Sequence, residues 1–187
     1  MIFNRISLKA LLIAAVFAIS SQVRADQNEP ELNVLFELLK ENISEYEAAD
    51  VTRQIWQHWL ATDNKELEML MQGGMDDMSS ADLKLAVEKF SEAIDMAPAF
   101  AEAWNKRATV YFMMGEFELS TADVAATLSL EPRHFGALSG QGMIYMQLEN
   151  HDAALDYFKR ALEVNPFMDQ VRRTIEYLES EKSKDLI

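Results

Sequence analysis

Cysteine is absent from the 187 residues. That rules out disulfides and thiolate nucleophiles, and also lipid attachment through a cysteine behind the N-terminal apolar run. Basic residues are sparse: 17 stand against 31 acidic ones, a formal charge of −14. Such a surface repels phosphate backbones and anionic lipid, so nucleic acid is not an expected partner. Histidine is scarce as well, and His58, His134 and His151 share no spacing that gathers metal ligands on one helix face. His58, beside two tryptophans, reads as a partly buried packing residue; His134 and His151, at turns, read as solvated. No glycine-rich phosphate loop occurs, and Leu138-Ser139-Gly140-Gln141-Gly142 is not a nucleophile elbow because its glycines follow the serine. Asp76-Asp77 is an isolated acidic pair without the alternating carboxylates of a calcium loop. With no acid, base or nucleophile constellation, neither an enzyme nor a cofactor is expected.

Near the N-terminus, Ala10–Ser20 reads ALLIAAVFAIS without a charge. Arg5 and Lys9 precede it, and Val23-Arg24-Ala25 follows as a small-x-small cleavage site. The pattern predicts a secretory signal peptide over residues 1–25, cut after Ala25. The run is about half the roughly 20 residues that span a bilayer, so no stable membrane span is expected after cleavage. Cleavage removes Arg5, Lys9 and Arg24 and no acidic residue, leaving the mature chain still more acidic. A periplasmic or secreted location follows, the bacterial periplasm being favoured, and Asn42-Ile43-Ser44 is too short a glycosylation pattern to argue otherwise. An exported chain without disulfides must be held by its core.

Proline is the last rarity, and the informative one. Of four prolines, three lie 34 residues apart: Pro98, Pro132 and Pro166. The same step joins Phe90, Val124 and Phe158; Ala93, Thr127 and Ala161; and Ala86, Ser120 and Ala154. It also joins Leu70, Trp104 and Leu138, and Gly74, Ala108 and Gly142. Within Ala101–His134, Trp104, Ala108 and Tyr111 form one helical stripe, Gly115 marks a turn, and Ser120, Val124 and Thr127 form a second stripe. Large residues face small ones, so two helix backbones approach closely, and proline ends the second helix.

At these residues the chain resembles the tetratricopeptide repeat, a 34-residue helix–turn–helix. The resemblance implies an all-α fold, a short right-handed α-solenoid of antiparallel hairpins. Residues 65–182 would hold three repeats (67–100, 101–134 and 135–168) and a C-terminal capping helix from Asp169 to about Lys182. Asp77 stands where Tyr111 and Tyr145 stand later, so the first helix of the first unit is expected to be irregular, with an extra residue absorbed at Ser79-Ser80. Residues 26–64 form an N-terminal cap. Pro30 opens a helix running to about Glu41, and Ser44 and Glu47 fit a capping box at the next one. That helix carries Trp56 and Trp59 and is expected to cover the first repeat. Residues 183–187 should fray.

The resemblance also implies a groove lined by the first helix of each unit. Glu68, Met71, Met75 and Met78 would come from the first unit; Glu102, Asn105, Thr109 and Phe112 from the second. The third unit would add Gly136, Ser139, Met143 and Met146, with Arg173 and Tyr177 closing the far end. Asn105 and Lys106 suggest part of the family's carboxylate clamp, yet Gly136 and Gly140 stand where basic residues belong, so no clamp is expected. Methionine-rich and weakly charged, the groove suits an apolar protein or peptide segment. It could instead be filled by the cap helix or by a neighbouring copy. A peptide-binding adaptor is the first reading; a self-associating scaffold and an accessory subunit of an envelope enzyme stay open.

Overall fold

The computed structural model describes residues 30–184, and within them every regular element is a helix. The proposed signal segment 1–25 and residues 185–187 lie outside the described residues. The helices are α1 (Pro30–Leu38), α2 (Glu45–Leu60), α3 (Lys65–Ser79), α4 (Leu83–Met96), α5 (Ala101–Met114), α6 (Phe117–Leu130), α7 (Phe135–Gln147), α8 (His151–Val164) and α9 (Asp169–Lys184). Three antiparallel pairs, α3/α4, α5/α6 and α7/α8, stack in order, and α9 closes the stack against α8.

Proline sets the period through the residue before it. Ala97, Glu131 and Asn165 cap α4, α6 and α8 with φ near −130° and ψ between 75° and 95°, and each precedes a proline. The proline ring excludes the helical conformation at that residue, so the helix stops there. The other end of each hairpin is equally regular. The N–H groups of Asp82, Glu116 and Asn150 donate to the carbonyls of Asp77, Tyr111 and Tyr145, each at 2.9 Å. Ala81, Gly115 and Glu149 donate to Met78, Phe112 and Met146 at 3.2, 3.0 and 3.1 Å. These are Schellman caps with a left-handed residue at one repeat position, φ 62°, 79° and 56°. The first unit therefore absorbs no extra residue: α3 is continuous through Ser79 and its turn copies the others. Asp77 holds the backbone place of the later tyrosines and pairs with Lys89 at 2.6 Å.

Only Gly115 of the three left-handed residues is a glycine, and a side chain there is strained by about 1–2 kcal/mol. Ala81→Gly and Glu149→Gly should each raise stability by about 1 kcal/mol, part of the relief being offset by glycine's greater freedom in the unfolded chain. Thermal melts check this, and an unchanged or lower Tm for both would mean the turns carry no strain.

Within hairpins, small residues meet rings. A Cβ placed on Gly74 would lie 2.6 Å from the Phe90 ring, and one on Gly142 would lie 2.5 Å from Phe158. The middle unit solves the same contact with Ala108 and Val124, both buried. Arg107 clamps Asp123 with two bonds of 2.7 and 2.8 Å and reaches Ser91 at 2.9 Å, tying α5 to α6 and α4.

The N-terminal pair departs from expectation. The capping box forms, with the Glu47 N–H donating to Ser44 Oγ at 3.3 Å and the Ser44 N–H to Glu47 at 2.9 Å. But α2 does not simply roof the first repeat. Only its end, at Leu60, packs on that unit's core. Its tryptophans pack with Phe135, Phe167 and Met168 of the third unit, and Asn165 donates to Thr52 at 3.2 Å. The aromatic face lies across several units because its apolar complements, Phe135 and Phe167, stand there. Two smaller boundaries shift: α1 ends at Leu38 rather than near Glu41, and α9 continues to Lys184, two residues beyond the expected end.

Candidate functional site

The first helices, α3, α5 and α7, together with α9, line one face of the stack, and α2 crosses it at their N-terminal ends. Trp56 meets Phe135 edge-on at 5.5 Å, and Lys106 Nζ lies 5.2 Å over the Trp56 ring. Gly136 is needed here, because a Cβ on it would come within 2.7 Å of that ring. Trp59 stacks on His134 at 4.0 Å and 10°.

His134 is wholly buried, contrary to the solvated turn residue read from its position. Its Nδ1 accepts the Ala137 N–H at 3.0 Å and caps α7, which leaves Nε2–H to donate to Glu102 Oε2 at 2.9 Å. Lys106 Nζ lies 2.9 Å from the other carboxylate oxygen, and Asn105 donates to Oε2 at 3.2 Å. Burial alone would push the Glu102 carboxyl up, but its bonds from His134 and Lys106 outweigh that and hold it below the usual carboxylate range. The cluster is a buried joint beneath α2, from which only Asn105 also reaches the cavity described below. A signal for it was present in the repeat: 34 residues before His134 stands Phe100, also fully buried.

The groove residues implied by the resemblance therefore separate. Glu102 and Asn105 are buried, and Met71 is buried in the core of the first unit with Leu67 and Phe90. Met75 and Met78 pack against that core, and Met146 packs against the core of the third unit. Glu68 is exposed on α3, and Arg173, bonded to Gln170, and Tyr177 are exposed on α9. What comes together is Asn105, Thr109 and Phe112 of α5 with Ser139 and Met143 of α7, around a cavity of about 190 Å³. Its floor was not read from the sequence: Ala108, Ser120 and Val124. The visible signal was the drop in size from Phe90 to Val124 and back to Phe158. A Cβ on Gly140, also lining the cavity, would meet nothing within 4 Å.

A second, wider cavity of about 930 Å³ lies between α2 and the start of α9 and shares Gly136 and Ser139 with the first. The open part of the face is thus one trough running from Phe112 past Ser139 toward Gln170. Among the described residues no three His, Asp or Glu side chains are grouped to hold a metal ion. No described helix is long and apolar enough to cross a membrane.

Residues 136–168 match the family model for the tetratricopeptide repeat. A TPR repeat-containing protein of Rhizobium etli is 33% identical over 135 residues, covering 72% of this chain and 66% of that one. Hsp70-Hsp90 organizing protein 3 of Arabidopsis thaliana is 29% identical over 105 residues, 54% of this chain but 19% of its own. The chain thus spans just under two thirds of the first relative and about a fifth of the second. Among solved structures, the first TPR domain of Spaghetti (RPAP3), bound to the Hsp90 peptide SRMEEVD, superposes with a TM-score of 0.61. The identity is 18%, over 65% of this chain and 96% of that one.

Proposed function

Starting from a chain built of tetratricopeptide repeats, we propose that it is an exported, non-catalytic adaptor that binds a protein segment in the part of its groove left open by α2. The observation that carries this reading is the trough itself, in which Thr109, Phe112, Ser139 and Met143 stay accessible while the other half of the face is roofed. The Spaghetti domain, similar in fold, was captured with a peptide. An acidic C-terminal peptide suits this chain poorly, because Glu102 is buried, the Asn105 amide is bonded to it and Lys106 is paired with it. The basic start, the apolar run and the Val23-Arg24-Ala25 site support export to the periplasm.

The test is affinity capture from envelope extract with mass spectrometry, comparing wild type with the double variant Phe112→Glu/Met143→Glu. Capture should fall at least tenfold while helicity by circular dichroism is kept. A variant that unfolds would mark those residues as core, and undiminished capture would remove the groove from the function. A scaffold that self-associates is the second reading, favoured by Leu85, Leu119 and Leu148, which stand 48–51% exposed at the hairpin-turn edge. Light scattering separates the two, since a concentration-independent monomer excludes the scaffold.

A further inference from the structure

Resting on the groove reading above, we infer that the recess under Val124 is an anchor pocket for one large apolar side chain, carried by a basic segment of a partner protein. In the outer units the site between the paired helices is filled by the rings of Phe90 and Phe158. The middle unit puts a valine there, and Gly136, Ser139 and Gly140 keep the facing wall of α7 low. The cavity is what remains.

Its chemistry follows from where the polar groups point. Thr109 Oγ1 donates to the Asn105 carbonyl at 2.9 Å, Ser120 Oγ to Ala108 at 2.7 Å and Ser139 Oγ to Gly136 at 3.0 Å. The Asn105 amide donates to Glu102. Each of these side-chain hydroxyls and the Asn105 amide donates to the protein itself, so the lining is mostly apolar, from Ala108, Phe112, Val124, Ala137 and Met143. An occupant's polar atoms would find only the spare acceptor lone pairs of these groups and no free side-chain hydroxyl donor, whereas a leucine- or phenylalanine-sized group loses only apolar hydration.

The charge of the segment follows from the rim. Phe112 and Met143 lie near the C-terminal ends of α5 and α7. Neither those helices nor α3 has a basic residue in its last turn, so their negative dipole ends are uncompensated. Glu116 and Glu149 follow the ends of α5 and α7, both exposed and outside any ion pair among the described residues. The cations around the trough are committed instead, Lys106 to Glu102, Arg53 to Asp50 and Arg172 to Asp169, with Arg173 at the far end the exception. Lysine or arginine flanking the apolar anchor fits this field.

The experiment selects a random dodecapeptide library on the immobilised full chain. It is repeated on two variants that fill the recess: Ala108→Gly/Val124→Phe, which copies the pairing of the outer units, and Gly140→Leu, which fills it from the facing wall. Wild type should enrich peptides with one large apolar residue among basic ones, and alanine at that residue should weaken binding about tenfold or more. The filled variants, folded by circular dichroism, should lose the same peptides by a similar factor. Enriched peptides that bind a folded filled variant as well as wild type would overturn the pocket and leave the groove reading standing. Acidic or wholly polar enriched sequences would overturn the proposed ligand, and no enrichment at all would overturn the groove reading with it.

Discussion

Trp59→Ala should lower stability by about 3–5 kcal/mol. The ring is 2% exposed and lies within 4.0–6.0 Å of four others, those of His134, Phe135, Trp56 and Phe36. Its removal leaves a cavity where α1, α2 and the start of α7 meet, and it unroofs the ion pair of Glu102. Trp59 Nε1 is buried without a hydrogen-bond partner among the described residues, so Trp59→Phe deletes an unpaired donor while keeping a ring over His134. That variant should lose much less. Denaturant unfolding of both separates the terms. A cost below about 1 kcal/mol for the alanine variant would mean that α2 does not dock as described.

The second large effect concerns the ring seated on Gly142. Gly142→Ala puts a methyl 2.5 Å from the Phe158 ring, and overpacking of this kind costs about 1–3 kcal/mol, partly offset by alanine's better helix propensity. Phe158→Val alone leaves a void and should cost roughly 2–3 kcal/mol, less than full truncation to alanine. Together the two changes reproduce the Ala108–Val124 pairing of the middle unit. The double variant should therefore be more stable than the two single losses predict, by about 1 kcal/mol or more. Strict additivity in the thermodynamic cycle would show that the two positions do not share a contact.

These contacts also mark how far the residues could be read without coordinates. The helical hairpins were legible because proline, small residues and rings act locally: Pro132 fixes the conformation of Glu131, and Gly142 faces Phe158 within one pair of helices. The turn after α3 was misread because Asp77 differs in chemistry from Tyr111, although the backbone bond made by its carbonyl is the same. The place of α2 was legible only as one alternative, a cap helix that fills the groove. Amphipathicity says that Trp56 and Trp59 must be covered, not that Phe135 and Phe167, far along the chain, will cover them. Glu102, in the part of the groove that α2 roofs, was given an open position for the same reason. Thr109, Phe112, Ser139 and Met143 were placed on the accessible face because only the repeat itself decides their direction.

A stack of hairpins in which each touches only its neighbours can melt from either end, one unit at a time. The bond from Asn165 to Thr52 and the rings of Trp56 and Phe135 join parts of the chain 113 and 79 residues apart. The last hairpin therefore cannot unravel without tearing loose the first helices, and the early hairpins are bound to the late ones in turn. Long-range closure slows folding, since distant segments must meet before the gain is realised. In exchange, the described helices should open together rather than one hairpin at a time.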